Sequence, residues 1–255
     1  MNKKTQILDA ALSKGQSTLT EHESKMFLKA YGIPVTREVE VLERGDLDAA
    51  LENIGFPLVM KACSPLLSHK TEKGLVRTDI RNQEEATAAF EELLTGMEES
   101  EGSILVQEMV HGERELMVGM TRDPQFGPCV LFGLGGIFTE VLEDVSFRVA
   151  PVEKKDVLEM MQDIRARKIL GDIRGLPAAD LDSLADMIIA IGEIGLENDI
   201  IQEIDLNPVI LSGTHPIAVD ALIVLNSDKG VADKPTRGGQ ADPSSVAGYC
   251  GGRAS

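Results

Sequence analysis

Apolar positions along this chain switch repeatedly between helical and strand spacing. Ile7, Leu8, Ala11 and Leu12 share one face of a short helix over residues 3–13, which Gly15 ends. Thr20 and Glu23 form a capping-box pair. The helix they start sets Met26, Phe27, Ala30 and Tyr31 near one face before Gly32 and Pro34 stop it. A strand is expected over 35–42, a helix over 46–53, and a second strand over 57–63 that is apolar except for Lys61. Strands over 75–80 and 103–107 flank a Glu-rich helix over 83–97. The segment 108–112 then breaks the pattern and reads as a link between two lobes. Strands over 114–120 and 128–132 enclose an Asp123-Pro124 turn, and Gly133-Leu134-Gly135-Gly136 makes a flexible loop. Helices over 154–161 and 181–194 precede two strands, 200–211 and 216–225, joined by a tight turn at Gly213-Thr214. From Asn226 onward the chain is rich in glycine and poor in apolar residues, so it reads as a disordered tail. Strands alternating with helices, followed by a β-rich middle, indicate an α/β or α+β architecture.

Charge narrows the function classes. The formal net charge is −17 over 255 residues, and no basic stripe interrupts it. Such a surface repels nucleic acid and anionic membranes, so an anionic ligand would need local positive groups or a metal. No apolar run reaches membrane-spanning length. Cys63, Cys129 and Cys250 are odd in number and widely spaced, and residues 1–13 look helical rather than like an export signal. Both features favour reduced thiols and a cytoplasmic location. Neither a P-loop nor a Rossmann glycine fingerprint occurs, so a nucleotide would need a different device.

Lys61 is the first candidate. A lysine ending a buried-looking strand either snorkels to water or meets an anion, and a phosphate is the simplest such anion. The loop after it carries His69 and Lys70. A neutral His69 imidazole there could accept a phosphoryl group, with lysines offsetting the added charge. The second candidate is Asp205 and Asn207, two apart and therefore on one strand face, with Asp220 opposite Asn207 if the hairpin turns at Gly213-Thr214. Oxygen ligands of this kind suit Mg²⁺; otherwise they are solvated positions on a half-exposed sheet. Glu108 at the link and Glu115 just beyond it could serve an adenine edge and ribose hydroxyls, or be surface acids. Gly135 and Gly136 could admit a phosphate close to backbone. Arg148 could pair with phosphate, Glu143 or Asp144, while His22, His111 and His215 read as surface residues.

Three segments together carry a resemblance: PLVMKACSPLLSHKTEKGLV, ILVQEMVHGERELMVGMTRDPQFGPCVLFGLGGIFTEVLEDVSFRVAP, and EIDLNPVI with AVDAL. They resemble the ATP-grasp subunit of ADP-forming (NDP-forming) acyl-CoA synthetases, a group that includes acetate–CoA ligases and is distantly related to succinyl-CoA synthetase. The resemblance runs from about Thr20 to Leu225. It implies an α+β ATP-grasp fold of two lobes holding Mg-ATP: an N-terminal helix over 1–19, a first lobe over 20–107, a second over 108–225, and the tail over 226–255.

The resemblance also implies roles. Lys61 would contact the nucleotide phosphates, and Glu108, Met109 and Val110 would form the adenine-side hinge, with Glu115 near the ribose. Asp205, Asn207 and Asp220 would hold Mg²⁺, and His69 would relay phosphate. Gly74-Leu75 departs from the Gly-Gly of many relatives. The implied reaction turns acyl-CoA, phosphate and ADP into acid, CoA and ATP. A CoA-binding domain does not fit beside the grasp, so a separate alpha subunit is implied, in an α2β2 assembly. The competing classes are a single-chain carboxylate–amine ligase, which has no need of His69, and a non-catalytic ATP-sensing module.

Overall fold

Thr20 is extended, its hydroxyl accepts from the Glu23 amide, and the Glu23 carboxylate accepts from the Thr20 amide; this reciprocal cap starts helix α2 (Glu21–Lys29) where the pattern placed it. In the computed structural model, which describes residues 3–64, 74–97, 102–136 and 144–226, α2 follows α1 (Lys3–Ser13). The remaining elements build two antiparallel sheets with helices packed on them, an α+β architecture.

The first sheet has the order β1-β4-β2-β3, with β1 at Glu38–Val41, β2 at Leu58–Cys63, β3 at Val76–Ile80 and β4 at Ser103–Glu108. Helices α3 (Leu47–Ile54) and α4 (Gln83–Gly96) cover one face, burying Leu51, Phe90 and Leu93 against Leu58, Met60, Ala62, Ile104 and Val106. Asn82 caps α4 by accepting from the Glu85 amide. Leu75, the departure from Gly-Gly, is buried in this core, and its carbonyl accepts from the Ala62 amide.

The second sheet has the order β10-β8-β5-β6-β7, with β9 also paired to β8. Its strands are β5 (Glu115–Asp123), β6 (Gly127–Leu134), β7 (Val145–Val149), β8 (Ile201–Ser212), β9 (His215–Ala218) and β10 (Leu222–Leu225). Helices α5 (Lys154–Asp163) and α6 (Leu181–Glu197) pack on Val118, Met120, Val130, Phe132, Ile204 and Leu206. On the opposite face one row of side chains crosses five strands, Phe147, Leu131, Gly119, Asp205 and Leu222 in order. Asp205 therefore lies on the face away from the helices.

Two features differ from the sequence expectation. The strand expected over 216–225 divides into β9 and β10. The pairing register is the same on both sides of the break, Val209 opposite Ala218 and Asp205 opposite Leu222, which sets Asn207 opposite Asp220. More consequentially, α1 and α2 pack into the core of the second sheet through Leu8, Ala11, Phe27 and Leu28. Residues 17–19 run along β10, with the Leu19 amide donating to the Ile223 carbonyl and the Leu225 amide to that of Ser17. The grouping of residues 20–107 into one lobe did not anticipate this. Apolar spacing on α2 reveals a buried face but not which sheet receives it. Among the described residues no helix is long and apolar enough to cross a membrane.

Candidate active site

Strand β2 is buried along its whole length. Alternation turns Leu58, Met60 and Ala62 toward α3 and α4 and leaves Lys61 on the other face. Lys61 is 5% exposed. It does not snorkel. Its Nζ donates to Glu21 Oε1 at 2.7 Å and to the Val219 carbonyl at 3.0 Å, and lies 3.7 Å from Asp220 Oδ2. Burial works against the ammonium charge, but Glu21 and Asp220 outweigh it and hold the pKa above the ordinary lysine value. Lys61 thus comes from the first sheet and meets partners packed with the second.

Glu21 extends this contact into a buried polar cluster that sequence reasoning missed. Lys25 Nζ has four acceptors for its three N–H groups, one of them shared: Glu21 Oε1 at 2.8 Å, Glu38 Oε2 at 2.9 Å, Thr36 Oγ1 at 3.0 Å and Gln107 Oε1 at 2.6 Å. His22 Nδ1 lies 2.8 Å from Glu38 Oε1. That hydrogen bond raises the His22 pKa although burial opposes it, so His22 is a member of the cluster rather than a surface residue. Charged residues at 21, 25 and 38 read as solvent-facing in a single sequence. Only the capping box, which fixes α2 and hence the face shared by Glu21 and Lys25 at i,i+4, hinted at their pairing.

Asp220, the carboxylate nearest Lys61 after Glu21, lies close enough to Asp205 for their charges to interact. Burial, then the nearby charges of Glu203 and Asp220, push the Asp205 pKa up to about 6. The expected third member behaves differently. Asn207 Oδ1 accepts from the Gly136 amide at 2.9 Å, tying the glycine loop to β8. Gly136 has φ +62°, and a Cβ there would land on the Glu115 carboxylate. The Gly135 amide donates to the Glu115 carbonyl at 2.9 Å, and a Cβ on Gly135 would meet the Leu116 backbone nitrogen at 2.9 Å. Glu115, Gly135, Gly136 and Asn207 therefore form one contiguous patch, whose two glycines cannot be replaced without displacement.

The residues expected at the hinge are arranged more simply. The Glu108 carboxylate accepts from the Arg37 amide and from Arg37 Nε, both at 2.7 Å, and the Glu108 amide donates to the Arg37 carbonyl at 3.0 Å. Its side chain thus ties the end of β4 to the residue that precedes β1. Met109 and Val110 follow in irregular, half-buried backbone. Arg148 pairs with Asp163 at 2.6 Å, and Asp144 instead caps the Arg165 and Ala166 amides at 2.7 Å each. His69 and Lys70 lie outside the described residues.

Among the described residues no group of three His, Cys, Asp or Glu side chains forms a metal site by itself. Asp205 and Asp220 nevertheless fit Mg²⁺, which commonly takes one or two carboxylates and completes its shell from water and phosphates. Asp205 is ionised against burial first and the charges of Glu203 and Asp220 second, and a bound cation would favour that charged form.

Comparison with known proteins gives a consistent picture. Residues 10–225 match the ATP-grasp domain family. The beta subunit of ADP-forming acetate–CoA ligase I from Pyrococcus furiosus is 42% identical, over 88% of this chain and 98% of that subunit. The ADP-forming acetate–CoA ligase I of Archaeoglobus fulgidus is 37% identical over 89% of this chain, which spans 33% of that longer protein. Among solved structures, the dinucleotide-forming acetyl-coenzyme A synthetase 1 of Ca. Korarchaeum cryptofilum, in complex with coenzyme A and Ca-AMPCP, superposes with TM-score 0.85 at 40% identity. That match covers 88% of this chain and all of the other. The same enzyme has been solved with Mg-AMPPCP and its phosphohistidine segment pointing towards the nucleotide-binding site. With its two-sheet grasp, its buried lysine beside Asp220 and these relatives, the chain belongs to the ATP-grasp family of ADP-forming acyl-CoA ligase beta subunits.

Proposed function

We propose that this chain exchanges a phosphoryl group between Mg-ATP and a phosphohistidine relay, working with a separate CoA-binding alpha subunit in a cytoplasmic α2β2 assembly. The carrying observation is the Lys61 ammonium, buried yet charged, 3.7 Å from Asp220 at the meeting of the two sheets. In this reading Lys61 contacts the phosphates, and Asp205, Asp220 and Asn207 hold the metal. Glu108, Met109 and Val110 line the adenine side, Glu115 the ribose, and Gly135 and Gly136 the phosphate chain. Bound Mg²⁺ would offset charge on the transferring oxygens, the main source of acceleration in phosphoryl transfer. A His69 imidazole nitrogen forms the new bond to the γ-phosphorus. The bond to the bridging oxygen breaks, and its electron pair leaves with ADP. Relatives support a divided assembly: the Pyrococcus protein is named as a subunit, whereas the Archaeoglobus protein carries the matching region within a chain about three times as long.

The test is recovery of the tagged chain from its native host and incubation with γ-labelled ATP and Mg²⁺. The expected result is acid-labile label on a co-purifying partner of alpha-subunit size, lost in Lys61→Ala and Asp220→Ala and impaired in His69→Ala. A lone chain that binds ATP and labels nothing overturns the reading in favour of a sensor or a single-chain ligase.

A further inference from the structure

We propose that Glu21 is a positioning residue for phosphoryl transfer, fixing the Lys61 ammonium so that one N–H faces the nucleotide; this rests on the reading above that Lys61 contacts the transferring phosphates. An ammonium has three N–H donors. Glu21 Oε1 takes one at 2.7 Å and the Val219 carbonyl a second at 3.0 Å. The third has no hydrogen-bond acceptor among the described residues, since Asp220 Oδ2 at 3.7 Å lies beyond reach. A phosphate oxygen can therefore bind Lys61 without displacing Glu21.

Glu21 is itself immobilised. It is 3% exposed, it begins α2, and the same Oε1 accepts from Lys25, which three other side chains hold. Its helix is seated in the core of the second sheet through Phe27 and Leu28, while Lys61 belongs to the first. Three carboxylates, Glu21, Glu38 and Asp220, surround two ammoniums, Lys25 and Lys61, so the lysine is neutralised before any nucleotide arrives. Removing the Glu21 charge should leave Lys61 able to attract phosphate but no longer held in the orientation that aims it. Protein kinases use the same logic, in which a strand lysine paired with a helix glutamate must be in place for transfer.

The test uses the tagged chain recovered with its partner from the native host, comparing wild type with Glu21→Gln, Glu21→Asp and Lys61→Ala. In Glu21→Gln the labelling rate at saturating Mg-ATP, per folded protein, should fall at least about tenfold, while KM for ATP changes by less than about threefold. Glu21→Asp keeps the charge but withdraws the oxygen, and should recover part of the rate. It also carries the test if the Gln variant does not fold, because the same split of kcat from KM is required of it. A Glu21 variant that folds and labels within about twofold of wild type, or that changes KM alone, overturns the inference. Normal labelling by Lys61→Ala would instead overturn the role of Lys61, a result distinct from any that the Glu21 variants can give.

Discussion

Asn207 Oδ1 accepts a hydrogen bond from the Gly136 amide at 2.9 Å, which makes the position of the glycine loop depend on strand β8. Asp205 lies two residues before Asn207 on the same strand, so the loop and the Asp205 carboxylate are carried by one rigid element. Gly136→Ala should expose this dependence. Its φ of +62° costs a Cβ-bearing residue about 1 kcal/mol, and the methyl would press on the Glu115 carboxylate. The expected outcome is a KM for ATP raised about tenfold with a melting temperature changed little, measured by steady-state kinetics alongside thermal unfolding.

Lys25 is 1% exposed and bonds four side chains. Lys25→Met should leave Glu21 and Glu38 as buried carboxylates lacking this shared counter-charge. Destabilisation of about 3–5 kcal/mol is expected in urea unfolding, the usual consequence of removing one side of a buried ion pair. A loss below about 1 kcal/mol would mean that water reaches the cluster and solvates it.

Substitution of Asp205 should have opposite effects on stability and on metal use. In metal-free protein the Asp205 charge is disfavoured by burial and by Glu203 and Asp220. Asp205→Asn should therefore stabilise the metal-free chain at neutral pH, by about 1 kcal/mol or more. The same substitution should raise the Mg²⁺ concentration needed for half-maximal ATP binding about tenfold. Calorimetric titration and thermal unfolding without added metal read the two effects separately.

His22 supplies a pH dependence. Its folded-state pKa is raised by the hydrogen bond to Glu38. A raised basic pKa gives stability that is fully present below the ordinary value of about 6.5 and is lost as pH rises through the folded value. Relative to His22→Gln, the wild type should be most favoured near about pH 6, and its advantage should shrink by about pH 8. Urea unfolding of both proteins across that window measures the difference, and titrations common to both cancel.

Much of the fold is legible in the sequence because apolar spacing reports burial directly. The β8–β9–β10 register is legible for a second reason: residues symmetric about the Gly213-Thr214 turn must face one another, so hairpin symmetry alone pairs Asn207 with Asp220. The arrangement around Lys61 is not legible in the same way. Glu21, His22, Lys25 and Glu38 carry the composition of a solvated surface, and what buries them is mutual compensation of charge between segments far apart in the chain. The expectation that a buried Lys61 requires an anion is sound physics, but its first anion is Glu21, from a helix whose place on the second sheet no local pattern announces.

That placement has a consequence for synthesis. Leu19 bonds Ile223, Ser17 bonds Leu225, and Phe27 and Leu28 enter a core completed by strands near residue 225. A ribosome adding about 5–20 residues per second leaves α1 and α2 without their sheet for roughly 10–40 s. Their apolar faces, together with the Glu21 and Lys25 side chains, must wait in the nascent chain until nearly the last strand emerges. The residue that holds the lysine is therefore made well before the strands that set it in place.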